Sequence, residues 1–114
     1  MEFTFESTGA NGVYKLSGNL IGENDGLSIT EHFEEQVGEG VGNFVMDLSS
    51  LVHINSTGLG VLVTLLTKAR KKGGDLFLAS PSDYISNLLM ITKLNTIFQI
   101  FDSIESAQAE HNVN

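Results

Sequence analysis

The residues best suited to chemistry lie in the run Asp47-Leu-Ser-Ser-Leu-Val-His-Ile-Asn55-Ser56-Thr57-Gly58-Leu59-Gly60. A strand-like segment passes into the polar triplet Asn55, Ser56 and Thr57, and from Leu59 onwards Leu59, Leu62, Val63, Leu66 and Ala69 fall on one helical stripe. Ser56 is therefore expected at a helix N-terminus. Free N–H groups and the positive dipole end stabilise an anion there, so a phosphate on Ser56 fits without unfolding the helix. By the same physics Ser56 also suits a plain N-cap, its hydroxyl accepting a backbone N–H. Thr57 is the second candidate hydroxyl. Gly58 and Gly60 either leave the surface flat for a partner or admit close packing of helix on sheet.

Other chemistry finds less support. His32, His53 and His111 are far apart and lack metal-site spacing, and with no cysteine in the chain, thiolate catalysis and disulfides are excluded. Asp47, at the end of an expected central strand, suggests a receiver-type phosphoacceptor, but the acidic pair that would hold its magnesium is missing near the N-terminus. Gly58-Leu59-Gly60 lacks the third glycine of a dinucleotide loop. The residues thus point away from an enzyme, and no cofactor or metal is expected.

The elements that position this run are legible from periodicity. Glu2 to Ser7 and Val13 to Ser17 alternate apolar and polar residues around Asn11-Gly12, which predicts a hairpin. A polar turn over Gly22-Glu23-Asn24-Asp25-Gly26 leads to a helix through Ile29, Phe33 and Val37, ended by the glycines from Gly38 to Gly42. Asn43 to Leu48 is a compact apolar run, expected as a central strand covered on both faces. The helix from Leu59 ends in Lys68-Ala-Arg70-Lys71-Lys72, where cations oppose the negative dipole end. Asp75 to Ala79 predicts a strand, after which Ser80 as cap, Pro81 in the first helical position and Asp83 in a capping box open a helix through Ile85, Leu88 and Leu89. Thr96 to Phe101 reads as a strand, Ser103 to Glu110 as a helix, and His111 to Asn114 as a frayed tail. The order ββαβαβαβα predicts one α/β domain over 1–110, with a mixed, mostly parallel sheet of about five strands.

Composition limits the partners. The 114 residues suit a single core, and 41% hydrophobic with 18% charged residues is ordinary for a globular chain. Fourteen acidic against six basic residues give a net charge of −8, which repels nucleic acid and anionic lipid. No segment has the length and apolarity of a signal peptide or a membrane span, so a cytoplasmic location is expected.

The run Ile54-Asn55-Ser56-Thr57-Gly58-Leu59-Gly60-Val61-Leu62 closely resembles the core motif of anti-sigma factor antagonists, the bacterial STAS domains. Leu16-Ser17-Gly18-Asn19-Leu20, Lys72-Gly73-Gly74-Asp75-Leu76 and Ile91-Thr92-Lys93-Leu94 resemble further family segments, so the likeness spans nearly the whole chain. In that family an anti-sigma factor that is also a serine kinase phosphorylates the serine after an aspartate, and a phosphatase reverses the reaction. The unmodified antagonist binds the anti-sigma factor and frees the sigma factor. The resemblance implies that Ser56 is the phosphorylated residue, with Asn55 standing where the family has aspartate. The turn before the helix and the loop around Asn24 are expected to form the partner-binding patch, comprising Asn24, Asn55, Ser56, Thr57, Gly58 and Leu59. A STAS scaffold without phosphorylation and a small-ligand-binding STAS domain are the alternative readings.

Overall fold

In the computed structural model, which describes residues 1–113, strands and helices follow the order ββαβαβαβα. The chain opens with a hairpin of β1 (Glu2–Thr8) and β2 (Asn11–Leu20), antiparallel, with Thr8 opposite Asn11. Its turn is Gly9-Ala10 and not the expected Asn11-Gly12, because Gly9 takes the positive φ of 60° that the reversal uses. Gly12 lies inside β2, where a Cβ would come within 2.6 Å of the Phe5 ring.

The chain continues through α1 (Glu23–Gly38), β3 (Asn43–Ile54), α2 (Ser56–Lys71), β4 (Asp75–Ala79), α3 (Asp83–Ile91), a 3-10 turn (Leu94–Thr96), β5 (Ile100–Phe101) and α4 (Ile104–Val113). The sheet order is β1-β2-β3-β4-β5, and every pair after the hairpin is parallel. Parallel neighbours need crossovers, which α1, α2 and α3 supply.

Strand alternation assigns the two faces of the sheet. Tyr14, Leu16, Phe44, Met46, Leu76 and Leu78 pack with Ile29, Phe33, Leu62, Leu66, Ile85 and Leu89 of α1, α2 and α3. Val45, Phe77 and Ala79 face the other way and meet Ala107 of α4. Phe44 to Leu48 is thereby buried on both faces, as its compact, mostly apolar run predicts.

Several boundaries differ from the sequence expectations. β3 runs on to Ile54, because the long β2 pairs with it as far as Leu20 opposite Ile54. β4 stops opposite Asp47, so Ser49 and Ser50 are exposed beyond its end. Asp47 is consequently in mid-strand, its carboxylate accepting from the Ser49 N–H and hydroxyl, each at 3.1 Å, and is not a phosphoacceptor at a strand tip. The polar stretch from Gly22 to Gly26 is mostly the first turn of α1, and Gly26 is buried where a Cβ would lie 2.6 Å from Val61 Cγ2, so this glycine serves helix packing.

The cap of α3 is Ser82, whose hydroxyl accepts from the Ile85 N–H at 3.2 Å. Ser80, the expected cap, sits at φ 54° and donates its hydroxyl to the Asp102 carbonyl at 2.7 Å, leaving Pro81 ahead of the helix. Of Thr96 to Phe101 only Ile100-Phe101 is strand, since the Ile97 and Phe98 N–H groups both turn back to the Leu94 carbonyl. The tail expected to fray from His111 is helical through Val113, while Asn114 lies outside the described residues. His111 is buried there, its ring stacked on Phe77 at 3.8 Å and its Nε2 bonded to the Phe44 carbonyl oxygen at 2.9 Å.

Candidate functional site

β3 sends Ile54 into the core and hands Asn55 to the free N–H groups of α2. Asn55 has extended backbone, its Oδ1 accepts from the Gly58 N–H at 3.0 Å, and its carbonyl accepts from the Leu59 N–H at 2.8 Å. It is the N-cap. Ser56, the residue expected from local physics to cap, is instead the first helical residue, and its exposed hydroxyl is relieved of that duty. Thr57 is exposed beside it. With the Gly58 N–H taken by Asn55, the Ser56 and Thr57 N–H groups stay without an intrahelical acceptor.

The Asn55 amide also reaches backwards, Nδ2 donating to the Ile21 carbonyl at 3.0 Å. This bond sets the β2–α1 turn against the start of α2. Gly58 makes the approach sterically possible, since a Cβ there would run into the Leu20 carbonyl oxygen and lie 2.7 Å from Ile54 Cγ1. Gly60 faces open space, with nothing within 4 Å of a Cβ.

Charge follows the same axis. α2 has no acidic residue in its first turn, whereas α1, α3 and α4 carry Glu23 and Asp25, Asp83, and Glu105 in theirs. The positive end of α2 is thus uncompensated by its own side chains, the condition in which an added anion gains most. At the far end Lys68 pairs with Glu34 at 2.7 Å and Arg70 with Asp75 at 3.3 Å, and the basic run meets the negative dipole end.

Of the residues expected in the partner patch, Asn24, Asn55, Ser56 and Thr57 are exposed, Asn24 standing in the first turn of α1 on the segment that Asn55 ties down. Gly58 and Leu59 are corrected: both are buried, Leu59 at 5% exposure, and they support the face from beneath. Sequence reasoning missed Ile21, Val52 and Tyr84, large apolar side chains at 48%, 57% and 49% exposure. Ile21 belongs to the tied turn, Val52 to the last residues of β3, and Tyr84 lies edge-on to His53 with ring centroids 5.9 Å apart. Exposed apolar side chains of this size are candidates for contact with a partner. Their only sequence signal was position, next to a turn or at a strand end. The other two histidines are structural. His32 Nδ1 shares a 2.7 Å hydrogen bond with the Tyr14 hydroxyl, and His111 fastens α4. Among the described residues no His, Asp and Glu group could hold a metal ion, and no helix is long and apolar enough to cross a membrane.

Comparison with known proteins adds the lineage. The STAS domain family model matches residues 2–107. A candidate anti-sigma factor antagonist of Thermotoga neapolitana is 35% identical over 78 residues, which cover 68% of this chain and 69% of that one. The crystal structure of a candidate anti-sigma factor antagonist from Thermotoga maritima superposes with a TM-score of 0.87 at 28% identity, covering 96% of this chain and 94% of that one. SpoIIAA, an anti-sigma factor antagonist solved in its unphosphorylated form, shares the fold with a TM-score of 0.75 at 18% identity over 96% of each chain. From its family match, its sequence relatives and its five-stranded mixed sheet, this protein belongs to the STAS domain family and is similar to its anti-sigma factor antagonists.

Proposed function

We propose that this protein is an anti-sigma factor antagonist that works by partner switching. In the unmodified state the face made of Asn24, Asn55, Ser56 and Thr57, with Ile21 of the tied turn, docks on an anti-sigma factor and so frees a sigma factor. The anti-sigma factor, acting as a serine kinase, phosphorylates Ser56 and ends the binding. Thr57 is the second-choice hydroxyl, and a phosphatase restores the binding form. Such a role belongs in the cytoplasm.

The observation that carries this reading is the exposed Ser56 hydroxyl at the first position of α2, freed from capping by Asn55. A phosphate there adds roughly −1.5 to −2 charges. In the free protein the neighbouring N–H groups and the helix dipole stabilise that charge. In the docked state it must be desolvated within the interface, which costs several kcal/mol unless the partner supplies cations. Modification therefore favours release without unfolding the domain.

Two measurements test it. Peptide mapping by mass spectrometry, on protein from its own cells, is expected to place phosphate on Ser56. Ser56→Ala is expected to capture an anti-sigma factor from the same cells, and Ser56→Asp to lose it. Equal capture by the two variants removes the switch. Intact capture with Ser56 unmodified under every growth condition supports a scaffold instead.

A further inference from the structure

Asn55 is bonded at both ends of one side-chain amide, to the Gly58 N–H and to the Ile21 carbonyl, each at 3.0 Å. Among the described residues no backbone–backbone hydrogen bond crosses from the β2–α1 turn to α2, so this amide is the polar tie between them. We propose that Asn55 is a positioning residue that locks the turn to the start of α2, presenting Ile21, Asn24 and Ser56 to a partner as one preformed surface. The inference rests on the docking role proposed above and adds which residue pre-organises that surface.

Of the good capping side chains, asparagine alone carries an acceptor oxygen and a separate N–H donor on one short planar group. Aspartate has the same shape and caps as well, but it offers only acceptors, so its second oxygen would face the Ile21 carbonyl oxygen and repel it. Serine caps through a single atom and has no second group to reach Ile21. Gly58 lets the two backbones approach, and the β2–β3 ladder ends at Leu20 opposite Ile54, so losing the Asn55 N–H leaves Ile21 and the residues after it without a polar tie to the start of α2. A turn that must be ordered on docking costs affinity, whereas one already in place does not.

NMR on the free protein tests the lock directly. A through-hydrogen-bond coupling is expected between Asn55 Nδ2 and the Ile21 carbonyl carbon. Asn55→Asp and Asn55→Ser keep an oxygen for the Gly58 N–H and lose the donor to Ile21. Both variants are expected to shift the Ile21 to Asn24 amide signals and lower their order parameters, while signals from the rest of α2 stay in place. Both are also expected to bind the anti-sigma factor captured by Ser56→Ala about tenfold more weakly than the unsubstituted chain does. An unchanged turn in Asn55→Ser overturns the lock whatever the partner does. A loosened turn with undiminished binding overturns its role in docking, as does weakening confined to Asn55→Asp, which would assign the effect to added charge. If no form of the chain captures an anti-sigma factor although both variants loosen the turn, the docking reading has failed and the surface function of the lock with it. The NMR arm separates that failure from failure of the lock itself.

Discussion

Gly58 and Gly60 stand two residues apart on α2 in opposite physical situations. A methyl group at Gly58 meets the Leu20 carbonyl and the Ile54 side chain, whereas at Gly60 it meets open space. Gly58→Ala should destabilise the domain by about 1–3 kcal/mol through forced backbone movement. Gly60→Ala, in a helical interior with room to spare, should stabilise it by about 0.5–1 kcal/mol. Urea unfolding of both variants checks the pair, and equal effects would contradict the close approach of α2 to the end of β2. Ser56→Asp carries a further expectation at this scale. Free protein should gain about 0.3–1 kcal/mol from a negative charge in the first turn of α2, opposite in sign to its effect on partner binding. Thermal unfolding at low salt measures it, and a loss of stability would mean that the helix end does not welcome an anion.

At the scale of elements, α4 is the helix on the second face of the sheet, and it is held by few residues. Ala107 packs with Val45, Phe77 and Ala79, and His111 adds its stack on Phe77 and its bond to the Phe44 carbonyl. His111→Ala removes a buried ring and a hydrogen bond together, with an expected cost of about 2–4 kcal/mol. Hydrogen exchange should show α4 opening before the sheet, because local unfolding begins where buried contacts are few. Exchange of α4 at wild-type rates in the variant would show that Ala107 and its neighbours suffice. On the opposite face the elements meet through glycine, Gly26 of α1 against Val61 of α2, so the helices that flank the proposed docking face are fixed by backbone-close packing as well as by side chains.

For the molecule as a whole, the buried aromatic cluster under the hairpin couples stability to alkaline pH. Tyr14 is fully buried, with Phe3, Phe5, Phe33, Phe44 and His32 around its ring. Burial, and then the Glu35 carboxylate, push its hydroxyl pKa well above the ordinary tyrosine value. In the unfolded chain tyrosine loses its proton near pH 10, while folded Tyr14 still holds it. The unfolded state then binds fewer protons, so the contribution of Tyr14 is intact below about pH 10 and is lost as pH rises through that value towards the folded one. Tyr14→Phe should lower stability at neutral pH by about 1 kcal/mol, the net worth of the bond to His32, and should flatten the alkaline fall. An equally steep fall in the variant would locate the alkaline loss in other groups.

Much of this was determined by the sequence alone. The order of strands and helices, and the apolar side of each, follow from repeats of 2.0 and 3.6 residues that the chain carries within itself. The double burial of Phe44 to Leu48 was legible for the same reason, as was the helix start around Ser56, where polar residues meet an apolar stripe. Only the tertiary structure decided which polar neighbour caps, Asn55 rather than Ser56 and Ser82 rather than Ser80, because capping depends on the angle at which the chain enters the helix. It also decided that Gly12, Gly26 and Gly58 serve close contacts, since the colliding atoms come from distant parts of the chain. The exposure of Ile21, Val52 and Tyr84 was invisible for a related reason. An apolar residue has the same identity in a core and at a docking face, and only what packs over it tells the two apart.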